Sequence, residues 1–326
     1  MRLLVLGGTG WLGRAVATLA AASGHDVTCV ARGGSAPAGA ALVRADRELD
    51  DALAPLAAQR WDAVVDVATQ PVHVRRAVRD LAPVAARYVY VSSVSAYADQ
   101  TAGIADESAP LFAPLAADAM RTMDDFGPAK AACEQLVRTA FPAQRHAIVR
   151  PGLIGGPGDR TGRTTYWPRR FARPSNPRGR VLVPDAADLP TAIVDVRDLA
   201  AFVLALAAGA GYGAFNALGE PVPLSEHLAL AHTVAGGRVV PTPVAEEWLL
   251  AREVGQWMGP RSLPLWIADR DQARSLATRV TDRARRAGLM LRPLADTLAD
   301  VLAEPGPVVQ GAGLTDDEER ELLAER

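Results

Sequence analysis

Lysine is almost missing from this sequence: of 35 basic residues only Lys130 is a lysine, and the rest are arginine. Acidic residues number 37, so the net charge is −2 and no basic surface for nucleic acid is expected. Cysteine occurs twice, as Cys29 and Cys133, without a C-x-x-C spacing. Both read as small core side chains of a reducing compartment, the cytoplasm, rather than as a disulfide or zinc framework. The five histidines form no H-x-x-x-H pair and no cluster with cysteine, so no metal site is expected. Nothing approaches the roughly 18 consecutive apolar residues of a membrane helix. The first apolar run begins at Leu3, too early for a signal peptide. Internal repeats and low-complexity linkers are also missing, and 326 residues suffice for a large core with a second, closely packed lobe.

What is present begins with Leu3-Leu4-Val5-Leu6-Gly7-Gly8-Thr9-Gly10-Trp11-Leu12-Gly13. Four apolar residues without alternation read as a strand covered on both faces. Gly8, Gly10 and Gly13 fit G-x-G-x-x-G, and Gly7, Gly10 and Gly13 fit G-x-x-G-x-x-G equally well. An alanine-rich helical stretch over 14–22 follows at once, and strand, glycine turn and helix together make such a match meaningful. Glycines let the backbone turn tightly and approach a pyrophosphate, whose charge rests on the amides and positive dipole of the helix start. Gly7, Gly8, Thr9, Gly10, Trp11, Leu12 and Gly13 are therefore the expected pyrophosphate contacts.

Further strands are expected at 27–31, 41–45, 62–68, 87–91 and 146–150, with helical periodicity over 49–58, 72–81 and 127–140 between them. That alternation predicts an α/β fold with a doubly wound parallel sheet, whose ligands sit at the carboxyl ends of the strands. A dinucleotide-binding domain over 1–150 and a smaller substrate lobe over 151–326, partly interleaved with it, are expected. Where an acid would hold the adenosine ribose of NAD, this chain has Arg32 followed by Gly33-Gly34-Ser35. A guanidinium suits a 2′-phosphate, so the expected cofactor is NADP(H) over NAD(H). Asp46 is expected near the adenine, and Ala68 with Thr69 along the cofactor. Residues 99–125 read as an active-site loop. Phe126 and Lys130 lie four apart on the next predicted helix and so share a face. In the second half, Tyr166, Trp167 and a series of arginines from Arg160 to Arg180 suit an anionic or aromatic ligand. Helices are also expected over 244–254, 269–287 and 294–303, and a capping box at Thr315-Asp316-Asp317-Glu318 opens a last one.

With these residues in hand, the chain resembles an extended short-chain dehydrogenase/reductase of the NAD-dependent epimerase/dehydratase type, with a Rossmann nucleotide-binding fold. The resemblance rests on the glycine turn, Tyr90-Val91-Ser92-Ser93 with Tyr97, Gly127 to Glu134, and Arg150-Pro151-Gly152-Leu153-Ile154. Asp195-Val196-Arg197-Asp198-Leu199-Ala200 and Phe215-Asn216 extend it over most of residues 1–220. It implies that Ser93 orients a substrate oxygen, that Tyr97 faces the substrate, that Lys130 holds the nicotinamide ribose, and that Pro151 touches the cofactor. It also implies a tyrosine as general acid/base four residues before the lysine, and there this chain has Phe126. Phenylalanine has no proton to give, and losing a positioned acid or base costs roughly 10²- to 10⁴-fold in rate.

Three readings stay open. An oxidoreductase, epimerase or dehydratase has rebuilt its acid from Tyr97, Tyr166, Asp124, Asp125, or Ser93 working through water. Alternatively, the fold runs a non-redox elimination, cyclisation or rearrangement, or it is a non-catalytic NADP(H)-binding module. The expected partner is a small-molecule substrate, with sugar nucleotide, polyketide and small carbonyl all open, and the resemblance makes a homodimer possible.

Overall fold

Seven short apolar runs line up in one parallel sheet: β1 (Arg2–Leu6), β2 (Asp26–Ala31), β3 (Ala40–Arg44), β4 (Ala63–Asp66), β5 (Tyr88–Val91), β6 (His146–Pro151) and β7 (Gly213–Ala217). Their order across the sheet is β7-β6-β5-β4-β1-β2-β3, and every pairing is parallel. The structure is a computed structural model and describes residues 1–101 and 104–326; Ala102 and Gly103, within the expected active-site loop, lie outside the described residues. Chain order reverses direction between β1 and β4, and on a sheet of this kind the crevice opens at that switch point.

Side chains alternate between two cores, as the two-residue period of a strand requires. Leu3, Val5, Val27, Cys29, Val89 and Val149 face α1 (Trp11–Ala22) and the helix Val196–Ala207. Leu4, Leu6, Val30, Tyr88, Tyr90 and Ile148 face the opposite layer, built from Pro71–Leu81 and Phe126–Ala140. A third core, around Trp167, Phe171, Trp266 and Leu298, belongs to the C-terminal lobe. The lobes interleave, because β7 and the helix Val196–Ala207 return from beyond residue 151 to complete the nucleotide-binding layers. Among the described residues no helix is long and apolar enough to cross a membrane.

Several element boundaries differ from the periodicity reading. Helix α1 starts at Trp11 rather than residue 14, because Gly10 caps it in extended conformation. The helix expected over 49–58 shrinks to Ala54–Ala57. Pro55 explains this, since its ring has no N–H and collides with the carbonyl four residues back anywhere beyond a first turn. The stretch 269–287 splits into Arg270–Ala277 and Asp282–Arg286. Between them Arg279 turns inward to donate to Ser275 Oγ and the Asp99 carbonyl. The region 244–254 yields only Glu246–Leu250 before a short strand, Gly255–Trp257.

Candidate active site

At the tips of β1, β2 and β4 the glycine turn is shaped by what a side chain would strike. Gly7 has φ +91°, and a Cβ on Gly13 would stand 2.3 Å from the Gly7 carbonyl oxygen. The 7/10/13 spacing is thus the one the close helix–strand approach requires. Gly8 packs on Cys29 instead, where a Cβ would meet the sulfur at 2.5 Å. Above the turn lies a cavity of about 620 Å³ lined by Gly7, Thr9, Gly10, Arg32, Asp46 and Ala68, among others. No acid occupies the first turn of α1. Its amides, which have no intrahelical partners, and its positive end suit a pyrophosphate. A glycine cradle, an acid-free helix start and an arginine at the end of β2 fit a nicotinamide dinucleotide.

Val67 joins this cavity to a second one, of about 420 Å³, over the tips of β4, β5 and β6. Thr69, Ser93, Phe126, Lys130 and Pro151 line it, and so do Trp11 and Leu12, which do not line the cavity above the glycine turn. Trp11 Nε1 donates to the Pro157 carbonyl at 2.7 Å, pinning the start of α1 to the C-terminal lobe. Lys130 is 4% exposed, and its Nζ donates to the carbonyls of Val91 (2.8 Å) and Ala68 (3.0 Å). An ammonium has three protons, so one is left for the cavity. Burial pulls the Lys130 pKa down to about 8, against the opposing pull of Cys133, Asp66 and Glu134. The Phe126 ring stands 5.9 Å from Nζ and the Tyr90 ring 5.0 Å. Gly127 permits this placement, because a Cβ there would meet the Ser95 carbonyl oxygen at 2.4 Å. Ser93 Oγ accepts from the Ser95 amide at 3.1 Å and so keeps its own proton to donate.

Other expected site residues lie elsewhere. Tyr97 does not face the cavity: it is fully buried, its hydroxyl donating to Asn216 Oδ1 (2.7 Å) and accepting from Arg150 Nη1 (2.8 Å). Burial raises its pKa, with Arg150 opposing. Arg150 in turn forms a buried bidentate pair with Glu134, which also accepts from Ser92 Oγ. Tyr97 is thus committed to a polar network under the floor of the site. Tyr166 is buried in the core of the C-terminal lobe against Trp167. Asp125 turns back to accept from the amides of Arg121 and Thr122, and Asp124 is exposed in the same turn. Neither carboxylate lines the cavity, and nor does any described residue of the loop 99–125.

Two lining residues had little or no sequence signal. Arg163 belongs to the arginine series singled out above, but nothing in its spacing marks it apart from its neighbours. In the structure it lines the cavity with its Cζ 5.4 Å from the centre of the Trp257 ring. Trp257 has φ +67°. For an aromatic residue such a conformation costs on the order of 1–3 kcal/mol, and residues of this kind cluster at functional sites.

A model described as the NAD dependent epimerase/dehydratase family matches residues 3–217. No curated protein matches the chain. Among solved structures, the chain is similar to a candidate epimerase from Burkholderia cenocepacia J2315, with 26% identity, a TM-score of 0.70, and 92% of this chain and 96% of that one covered. It shares the fold of a UDP-N-acetylglucosamine 4-epimerase from Bacillus cereus, at 14% identity and TM-score 0.66 over 94% and 99% of the two chains. It likewise shares the fold of a UDP-glucose 4-epimerase from Thermotoga maritima, at 14% identity and TM-score 0.67 over 93% and 97%.

Proposed function

The chain belongs to the NAD dependent epimerase/dehydratase family, and from that premise we propose that it is an NADP(H)-dependent enzyme with a non-standard proton donor, acting on a small oxygenated metabolite. The observation that carries the reading is the Lys130 ammonium, held by two carbonyls in the wall of the second cavity with one proton to spare. Preference for NADP(H) is supported by the loop after β2. Arg32 is exposed there, and Arg14 and Arg44 donate to the carbonyls of Ser35 and Gly34, so three guanidiniums surround a loop that has no acid. Paired guanidinium donors suit a 2′-phosphate.

Bound in this cleft, the nicotinamide would supply or accept a hydride. The remaining work falls to the chain. Lys130 anchors a ribose hydroxyl, Ser93 donates its hydroxyl proton to a substrate oxygen, and the Phe126 ring keeps water off the ammonium. Proton exchange then runs from Ser93 to solvent water, because no carboxylate and no phenol lines the cavity among the described residues. That same lack favours a second reading, a non-redox elimination or rearrangement needing no strong acid. Titration with NADPH and NADH, followed by cofactor fluorescence, tests the first reading; tighter NADPH binding is expected, and no binding of either sinks it. Phe126→Tyr separates the two readings. It raises carbonyl-dependent NADPH oxidation, by up to roughly 10²-fold, if an acid is what is missing. It lowers turnover if the phenylalanine serves another reaction.

A further inference from the structure

The substrate end of the cleft contains one guanidinium, that of Arg163, with no carboxylate in ion-pair contact among the described residues. Of the buried arginines elsewhere, Arg47 pairs with Asp66, Arg150 with Glu134 and Arg170 with Asp316 and Glu319, while Arg169 and Arg279 spend their terminal nitrogens on backbone carbonyls and neutral side-chain oxygens. Among the described residues Arg163 makes no ion pair, and its side-chain hydrogen bond there runs from Nε to Thr161 Oγ1 at 3.1 Å. Asp159, the nearest acid in sequence, is occupied by the amides and hydroxyls of Thr161 and Thr164. Trp257, in its left-handed conformation, supports the guanidinium from the side, and Leu153 and Leu276 supply apolar wall. A half-buried cation with its two terminal nitrogens uncommitted is an incomplete site, because desolvating a charge is costly unless a partner compensates it.

We propose that Arg163 is the substrate-anchoring residue and that the substrate is a compact organic carboxylate, its anion held by the Arg163 fork and its reacting carbonyl or hydroxyl directed to Ser93. This rests on the dinucleotide reading above and narrows its substrate class. A planar guanidinium meets a carboxylate through two parallel hydrogen bonds. A cavity of about 420 Å³, shared with the nicotinamide, suits a small acid. The nucleotide-diphosphate substrates named for two of the similar folds carry more negative charge than one free guanidinium balances.

The test uses the full chain saturated with NADPH. Phenylpyruvate, 2-oxoglutarate, their primary amides, dihydroxyacetone phosphate and UDP-glucose are titrated by calorimetry against the parent, Arg163→Gln and Arg163→Lys. The acids are expected to bind and the amides not to. Arg163→Gln should weaken the acids by roughly 10- to 100-fold, as loss of a charge-assisted bond does, while NADPH affinity and the melting temperature stay near the parent's. Arg163→Lys should restore part of the loss. Equal binding of acid and amide, acid binding indifferent to Arg163→Gln, or a preference for dihydroxyacetone phosphate or UDP-glucose overturns the proposal. So does binding of none of these acids at millimolar concentration. A parent that binds no NADPH instead overturns the dinucleotide reading beneath it.

Discussion

At Lys130 one side chain carries two opposed demands. Burial holds its pKa at about 8 against an ordinary 10.5, a difference worth about 3 kcal/mol at 1.36 kcal/mol per unit. Below pH 8 the lysine is charged in both folded and unfolded chains, and folding bears the full penalty. Between pH 8 and 10.5 the unfolded chain binds more protons than the folded one, so stability rises with pH. Lys130→Met removes the charge but leaves the Val91 carbonyl without its donor, a loss of about 1–3 kcal/mol. The variant should therefore be about as stable as the parent at pH 7. It should fall behind by about 3 kcal/mol as pH passes from 8 to 10.5, measured by urea unfolding at each pH. Its NADPH affinity should drop by roughly 10- to 100-fold. An unchanged affinity would remove Lys130 from the cofactor. The sequence made this residue visible, since it is the one lysine in the chain; its partners, 62 and 39 residues away, were not visible.

The glycine turn shows how much an element owes to close approach. Alanine is the better helix former than glycine by about 1 kcal/mol, so propensity alone favours Gly13→Ala. Geometry decides the other way, because the new Cβ would sit 2.3 Å from a backbone oxygen that cannot swing aside. Overpacking of this kind costs about 1–3 kcal/mol. The variant should have a lower urea midpoint and weaker NADPH binding, and a midpoint equal to the parent's would mean that α1 and β1 separate easily. Existence and type of the sheet strands were readable because apolar runs punctuated by glycine and proline are local signals. Boundaries inside 244–287 were not readable, because helical periodicity there continues across a break that Arg279 makes by turning inward toward Asp99, 180 residues away in sequence.

Over the whole molecule, a buried polar network joins parts that the sequence keeps far apart. Glu134 accepts from Arg150 and Ser92, Arg150 donates to Tyr97, and Tyr97 donates to Asn216 on β7. Burial pushes the Glu134 carboxyl up, but Arg150, Ser92 and Arg138 outweigh it and hold the pKa below the usual 4.5. The carboxylate thus contributes stability that is present above about pH 4.5 and lost as pH falls through its lower folded value. Glu134→Gln leaves Arg150 buried without its counter-charge, which costs about 3–5 kcal/mol. The gap between parent and variant in unfolding free energy should be full at pH 7 and shrink below pH 4.5. A gap independent of pH would mean that the carboxylate is not charged in the folded chain.

Local spacing alone determined the glycine turn, the parallel sheet with its ligand edge, the lone lysine and the phenylalanine that stands four residues before it. Each of these depends on neighbours within a few positions, and the backbone periods of strand and helix turn such spacing directly into placement. Only tertiary structure decided which polar side chains meet the cleft and which are used up inside. Tyr97 is consumed by Arg150 and Asn216, 53 and 119 residues along the chain, while Arg163 and Trp257, 94 residues apart, meet at the cavity wall. A hydroxyl or a guanidinium looks the same in sequence whether its partner is a protein group or a ligand, and the difference appears only when distant segments fold against it.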